Sequence, residues 1–134
     1  MNGSSKPHRN LLARQKTMDL VVKVYEMTRS FPQQELYALS SQLRRVAISA
    51  PSNIAEGAAD RTEQQFSNYL SNAIGSLHEI DTQLELALRL GYVTGADFNH
   101  VHQALDECIA LTYGLRKVVL FRKQNDPEAV SSKR

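Results

Sequence analysis

The residue spacings closest to a metal-binding motif involve histidine. His78-Glu79 begins like the His-Glu-x-x-His motif of zinc proteases, but Thr82 stands where the second histidine ligand would be. His100 and His102 are two residues apart, so a helix would point them toward different faces. His102 and Asp106 are four residues apart and could share a hydrogen bond. These spacings predict no metal site.

Candidate nucleophiles are equally few. Gly75-Ser76 lacks the flanking sequence of a nucleophile elbow, and no glycine-rich phosphate-binding or dinucleotide-binding loop is present. Cys108 is the one cysteine, which excludes an internal disulfide and a multi-cysteine zinc site. It falls on an apolar helical stripe, where cysteine behaves as a small hydrophobic residue. The sequence therefore predicts no catalytic residue, no cofactor and no enzyme activity.

One polar stretch, residues 42–57, is unusual because it surrounds a proline inside an apolar helical pattern. Arg45, Ser49, Ser52 and Glu56 are spaced to share one helical face. A second polar line beside an apolar stripe could provide their partners, and it consists of Ser76, Glu79 and Gln83. An Arg–Glu pair within the bundle or between subunits would fix register. A structural role and a ligand-binding role are both open for this cluster.

The elements that must position these residues are four amphipathic helices, predicted at about 11–30, 33–57, 62–90 and 95–124. The last two have apolar residues at alternating steps of three and four. These are Phe66, Leu70, Ala73, Leu77, Ile80, Leu84 and Ala87, then Phe98, Val101, Leu105, Cys108, Thr112, Leu115 and Val119. Short connections favour an all-α, antiparallel, up-down-up-down four-helix bundle.

Further expectations concern the helix ends and the overall organisation of the 134-residue chain. Pro51 predicts a kink in the second helix near residues 47–51. The apolar surface of the first helix is wider than one bundle contact needs, which predicts oligomerisation. We expect one domain over residues 1–134, with flexible tails at 1–10 and 125–134. A polar N-terminus and the lack of a long apolar run predict a cytoplasmic protein without membrane association.

The formal charge of +2 is unevenly distributed. Residues 1–23 contain five basic side chains and one acidic, and residues 116–134 contain six basic and two acidic. Residues 61–115 contain two basic and seven acidic. An antiparallel bundle would bring the two basic segments to one end, where they would attract phosphates in a salt-dependent way. The candidate nucleic-acid-binding residues are Arg14, Lys16, Lys23, Arg116, Lys117, Arg122 and Lys123.

Two other interpretations of this charge remain open. Cations near the C-terminus of a helix interact favourably with its macrodipole, and basic tails aid solubility without binding anything. Alternatively, the basic and acidic ends could pair between subunits and help a ring to assemble.

Several runs in this sequence resemble one bacterial protein family. The resemblance covers about residues 15–121, and its most specific part is the Asn-Ile-Ala-Glu-Gly run with Gln-Leu-Arg-Arg upstream. The sequence is similar to the four-helix-bundle proteins encoded in intervening sequences of bacterial 23S ribosomal RNA genes, often labelled S23 ribosomal protein. The matching residues include Gln42, Arg44, Arg45, Ser49, Pro51, Asn53, Ile54, Glu56 and Gly57, then Gly75, Ser76, Glu79 and Gln83.

This resemblance implies a homopentameric ring of four-helix bundles and no known enzyme activity. Related accessory variability determinant proteins of diversity-generating retroelements look like basic barrels that bind nucleic acid and a reverse transcriptase. Two functions are therefore expected as alternatives. One is a non-enzymatic scaffold that binds RNA or DNA through the first and last helices. The other is a structural or adaptor assembly that binds a protein partner, such as a reverse transcriptase.

Overall fold

A computed structural model describes residues 5–59 and 62–125 of the chain. Within these ranges the chain forms four α-helices and no strand, which confirms the all-α prediction. The helices are α1 (Ser5–Thr28), α2 (Leu39–Ala59), α3 (Glu63–Arg89) and α4 (Gly95–Gln124), with one 3₁₀ turn at Gln33–Glu35. Of the predicted flexible tails, residues 1–4 and 126–134 lie outside the described part.

Contacts between helices show that each runs antiparallel to its neighbours. Ser49 of α2 meets Ser76 of α3, with 2.8 Å between the hydroxyl oxygens, while Gly57 lies against Tyr69. Between α1 and α4, Lys16 meets Glu107, while Lys23 meets His100. Between α3 and α4, Ser71 meets Arg116, while Asp81 meets His102. Residue numbers thus rise on one helix as they fall on the other. Because α1 also packs against α4, the four helices close into a bundle.

The two helices with the clearest heptad spacing bury the predicted residues, except Phe98 at the start of the α4 seam, which is half-buried. Every α3 seam residue from Phe66 to Ala87 is at most 1% exposed, and the α4 seam from Val101 to Val119 is at most 2% exposed. The core consists of two clusters, one around Leu84 and Leu105 and one around Phe66 and Leu115. Lengthwise packing of apolar stripes therefore stabilises this fold through burial, which contributes about 25 cal/mol per Å² of apolar surface.

Side chains and backbone turns define where the last two helices begin and end. The Thr62 hydroxyl accepts a hydrogen bond from the Gln65 N–H at 3.1 Å, and the Thr94 hydroxyl accepts one from the Asp97 N–H at 3.1 Å. Gly91 ends α3 with φ = 78°, a conformation that favours glycine. Tyr92 N–H then donates to the Ala87 carbonyl at 2.9 Å, completing a Schellman motif.

The first two helices differ from the predicted boundaries. α1 begins at Ser5, well before residue 11, and Pro7 fits in its first turn because N–H groups there have no partner within the helix. α2 begins at Leu39 and not at 33, since the chain after Pro32 makes the 3₁₀ turn. Leu36, which continues the apolar spacing of α2 toward the N-terminus, is 37% exposed. The helix continues through Pro51, and a kink there stays a prediction.

Candidate nucleic-acid interface

A shallow groove runs along the outer face of the last three turns of α4. Its volume is about 550 Å³. Three of its residues are large apolar side chains in contact with solvent: Phe121 is 65% exposed, Tyr113 41% and Leu120 38%. Two cations, a glycine and a glutamine complete the lining of the groove. The full set is Tyr113, Gly114, Arg116, Lys117, Leu120, Phe121 and Gln124. We call this surface the α4 groove.

Arg116 is held in place by neutral groups. Its Nη1 donates to the Ser71 hydroxyl of α3 at 3.1 Å, and its guanidinium carbon lies 5.0 Å from the centre of the Tyr113 ring. Tyr113 is itself positioned by His78, whose Nε2 is 3.1 Å from the tyrosine hydroxyl. These contacts orient the guanidinium without neutralising it, so its charge remains available to an anion.

Lys117 and Lys123 extend the positive charge along the same end of α4. Lys117 is exposed, and the Lys123 ammonium donates to the amide oxygen of Gln64 on α3. Arg122 and Lys123 also lie in the last turn of α4, where the helix dipole favours cations. The structure thus brings four of the seven predicted binding residues, Arg116, Lys117, Arg122 and Lys123, to one end of one helix.

The three predicted residues of α1 lie elsewhere. Arg14 lines a cleft between α1 and α2, with Met18 and Pro51, on the side of the bundle away from the α3–α4 contact. Lys16 forms an ion pair with Glu107 of α4 at 3.7 Å, near the middle of the bundle. Lys23 is 3.5 Å from His100, close to the start of α4. They do not extend the α4 groove.

Acidic groups gather toward the other end of the α3–α4 contact. His102 Nε2 is 3.0 Å from a carboxylate oxygen of Asp81, and its Nδ1 is 3.5 Å from Asp106. The His102 ring also stacks on Phe98, with 5.1 Å between ring centres. The predicted contact between His102 and Asp106 is therefore present, and it is part of a link between two helices.

The serine and asparagine residues of the 42–57 stretch form a small hydrogen-bonded cluster. Besides the Ser49–Ser76 contact, Asn53 Nδ2 donates to the Ser49 carbonyl at 2.8 Å and to its hydroxyl at 3.0 Å. Ser76 is buried and also donates to the Asn72 carbonyl at 3.2 Å. These bonds satisfy polar groups inside the α2–α3 contact, where unpaired groups would be costly.

The charged residues of the same motif have separate surroundings. Arg44 packs over the Tyr25 ring at 5.0 Å and donates to the Thr28 hydroxyl at 2.9 Å, so it joins α2 to α1. Arg45 is exposed and donates to Gln42 of its own helix at 2.6 Å. Glu56 and Glu79 are exposed. The Arg–Glu pair considered within the bundle is therefore not formed among the described residues.

The remaining motif residues range from buried to exposed. Ile54 is fully buried, Gly57 is buried at the α2–α3 contact, and Pro51 is half-buried beside α1. Gln83 has a buried side-chain oxygen with no hydrogen-bond partner in the part of the chain that the structure describes. Gly75 is exposed.

The groups considered for catalysis are dispersed or buried. Cys108 is 1% exposed and donates its thiol to the Lys16 carbonyl at 3.3 Å. Burial, assisted by the charge of Glu107, raises the pKa of the thiol to about 12, which suppresses the nucleophilic thiolate. Within residues 5–59 and 62–125, no three His, Cys, Asp or Glu side chains are placed to hold a metal ion. No helix in those ranges is long and apolar enough to cross a bilayer.

Comparison with known proteins identifies the family. The model of the 23S rRNA-intervening sequence protein family matches residues 9–114. This chain belongs to that family. The bundle also resembles the crystal structure of a protein of unknown function from the S23 ribosomal protein family of Bacteroides thetaiotaomicron. That likeness has a TM-score of 0.75 at 22% identity and covers 81% of this chain and 98% of the other. No curated protein matches the chain.

Sequence reasoning missed the aromatic part of the α4 groove. Tyr113 and Phe121 are eight residues apart and lie off the buried seam, beside Arg116 and Lys117. The signal was present as basic and aromatic residues interleaved on one helical face. Val118 and Leu120 also fit a widened apolar stripe, so residue spacing alone does not separate this exposed surface from a broader core contact.

Proposed function

We propose that this protein is a non-enzymatic, self-assembling helical scaffold that binds nucleic acid at the α4 groove. The observation that carries the proposal is the concentration of Arg116, Lys117, Arg122 and Lys123 at the end of one helix. Arg116 and Lys123 are held there by the neutral side chains of Ser71 and Gln64. Because these partners are neutral, Arg116 and Lys123 keep their positive charge for a phosphate, and this electrostatic attraction weakens as salt rises.

The groove composition supports single-stranded nucleic acid as its ligand. Phe121 exposes most of its ring beside Lys117, and Tyr113 lies about 12 Å away along the helix axis. Unpaired bases stack on such aromatic side chains, while neighbouring cations follow the phosphates. A base-paired duplex keeps its bases inside and would use only the cations.

The test is fluorescence anisotropy with labelled single-stranded RNA and DNA between roughly 50 and 200 mM salt. The variant Lys117→Glu with Lys123→Glu should weaken binding at least tenfold. It should also lower the slope of log K against log salt by about 1.4 to 1.8, because two phosphate contacts are lost.

The matched control is Lys23→Glu with Arg29→Glu. It changes the net charge by the same amount near the C-terminal end of α1, which Arg29 directly follows. This region lies near the start of α4 and far from the groove. We expect it to bind almost as the unchanged protein does. Salt-insensitive binding, or equal loss in both double variants, would contradict the proposed site.

Self-assembly into a homopentameric ring is the second part of the proposal. It is supported by large apolar side chains on the outer face of α1, where Met18 is 46% exposed and Val22 56% exposed. Light scattering should return five times the chain mass of 15.0 kDa. A monomer at micromolar concentration would contradict this part without affecting the nucleic-acid test.

An adaptor that binds a protein partner is the alternative function. The exposed Leu120 and Phe121 favour it, because an apolar helix of another protein could also occupy the α4 groove. A partner that survives nuclease treatment and is lost in Phe121→Glu, together with no salt-sensitive nucleic-acid binding, would support the adaptor.

A further inference from the structure

The outer face of α3 carries a stripe directly opposite its buried seam. Its residues are spaced by four, three, four and four, and all are exposed: Gly75, Glu79, Thr82, Leu86 and Leu90. Leu86 is 46% exposed and Leu90 is 55% exposed, so an apolar section follows an acidic residue. We call this surface the α3 stripe.

Gly75 has no function in packing the described bundle. A Cβ built on it meets no atom within 4 Å. Glycine in a helix interior nevertheless costs about 1 kcal/mol relative to alanine. A glycine backbone in open space leaves room for another molecule to approach the helix closely.

A second surface lies along the outer edge of α1 and α2. Ile48, 43% exposed, borders both parts of the cleft between these helices. Arg45 lies beside it, and Leu36 and Tyr37 extend the same surface past the start of α2. Tyr37 is 92% exposed. We call this surface the α1–α2 edge.

The two surfaces carry opposite charges with no partner of their own. Arg45 bonds only to the neutral Gln42, and Glu79 has no hydrogen-bond or ion-pair partner within the described chain. The exposed apolar residues, Leu86 and Leu90 on one surface and Leu36 and Tyr37 on the other, are likewise available for contact. The surfaces are therefore complementary in charge and in apolar character.

The same groups also lie at matching heights along the bundle. Taking the Ser49–Ser76 contact as the origin, Arg45 is four residues away on α2 and Glu79 is three residues away on α3. Because the helices are antiparallel, both lie in the same direction, at about 6 and 4.5 Å. Leu86 and the start of α2, next to Tyr37, are each about 15 Å away.

We propose that the α3 stripe of one copy of this chain binds the α1–α2 edge of the next copy, with Glu79 pairing to Arg45. This inference rests on the self-assembly part of the proposed function and assigns its interface. Side-by-side copies related by an axis along the bundle place groups of equal height in contact. Two different surfaces joined in this head-to-tail way form a ring when the rotation between neighbouring copies closes on itself. Gly75 then gives room for the side chains around Ile48.

A second copy fits the α3 stripe better than a polyanion does. Glu79 would repel phosphates, whereas Arg45 would attract it. The α4 groove is a poorer partner for the α1–α2 edge, because Arg116 and Lys117 would face Arg44 and Arg45. Charge thus separates the surface for self-assembly from the surface for nucleic acid.

Charge exchange tests the pairing in sedimentation or light-scattering series over protein concentration. Arg45→Glu and Glu79→Arg alone should each raise the concentration for half-assembly at least tenfold. The double variant restores an opposite-charge pair at every interface and should return within about threefold of the unchanged protein. The control, Lys16→Glu with Glu107→Arg, makes the same charge changes at the α1–α4 contact, away from both surfaces, and should assemble normally.

A second comparison probes the open space at Gly75. Gly75→Leu should remain helical by circular dichroism and lose assembly, since the added side chain meets nothing within its own chain. Gly114→Leu is the matched control, because Gly114 also has no neighbour within 4 Å but lies in the α4 groove. It should assemble normally.

The outcomes separate this interface from self-assembly itself. If the unchanged protein is oligomeric and both single charge variants assemble equally well, the proposed interface is wrong. Self-assembly itself is then not contradicted. Failure of the double variant to recover would overturn the Arg45–Glu79 pairing. An unchanged protein that is monomeric would contradict self-assembly first, and the interface with it.

Discussion

Gly57 of α2 lies so close to Tyr69 of α3 that a Cβ built on the glycine would be 2.7 Å from the Cβ of the tyrosine. The same atom would lie 2.9 Å from the ring of Phe66. A Cβ–Cβ contact at this distance is not relieved by rotating a side chain, because both atoms are fixed to backbone. Gly57 therefore sets how near α2 approaches α3, just where Ile54 and Phe66 form the second core cluster.

Gly57→Ala should destabilise the fold by about 1 to 3 kcal/mol, the range for overpacking a well-filled core. The control is Gly114→Ala, where the added methyl meets nothing and helix propensity should raise stability by up to about 1 kcal/mol. Urea unfolding of both variants measures the two effects. Equal stability of the two variants would show that the α2–α3 approach is not limited by Gly57.

The Ser49–Ser76 hydrogen bond should appear as an energetic coupling between α2 and α3. Ser49→Ala leaves Ser76 with only its own helix carbonyl, and also removes one acceptor from Asn53. We expect each single alanine variant to cost about 1 kcal/mol, and the double variant to cost less than their sum by about 0.5 to 1.5 kcal/mol. Additive losses in urea unfolding would contradict the coupling.

The fold was predictable wherever apolar spacing alone decides the structure. The seams of α3 and α4 were found because one buried stripe and a threonine cap define each helix. The start of α2 was not found because Leu36 continues the apolar spacing of the helix, although Pro32 and the 3₁₀ turn place it outside. Tertiary packing decides whether such a segment forms a turn or a helix, and the spacing of apolar residues carries no information about that packing.

The candidate site was predictable only in part, for a geometric reason. The predicted basic end combines all the cations of residues 1–23, but the described part of that segment, residues 5–23, already spans about 28 Å along α1. Lys23 consequently lies near His100, and Lys16 pairs with Glu107, whereas Arg116 and Lys117 share a groove. The side and height of each residue in the bundle, which set its neighbours, emerge only once the helices are packed.

The buried thiol of Cys108 should make stability depend on alkaline pH. Its pKa is raised from 9.0 to about 12 by burial, so the thiolate is favoured in the unfolded chain. The contribution of the protonated thiol to the free energy of unfolding is fully present below pH 9. It is lost as pH rises toward 12, by about 1.4 kcal/mol per pH unit. The measurement is the difference in unfolding free energy between the unchanged protein and Cys108→Ala. Tyr92 also has a pKa raised by its hydrogen bond to Glu35, but it is common to both chains and cancels. A difference that stays constant above pH 9 would refute the burial argument.

Phe121 should determine which form of nucleic acid the α4 groove prefers. Its ring is 65% exposed beside Lys117, and base stacking on such a ring contributes about 1 to 3 kcal/mol. Phe121→Ala should therefore weaken binding of single strands by roughly 5- to 150-fold, with an unchanged salt slope, because no phosphate contact is removed. Binding of duplex should hardly change, since its bases are already stacked.

Lys117→Ala provides the contrast, lowering the salt slope by about 0.7 to 0.9 and weakening single strands and duplex alike. Equal losses for both nucleic-acid forms in Phe121→Ala would mean that the ring supports the helix end and does not stack on bases.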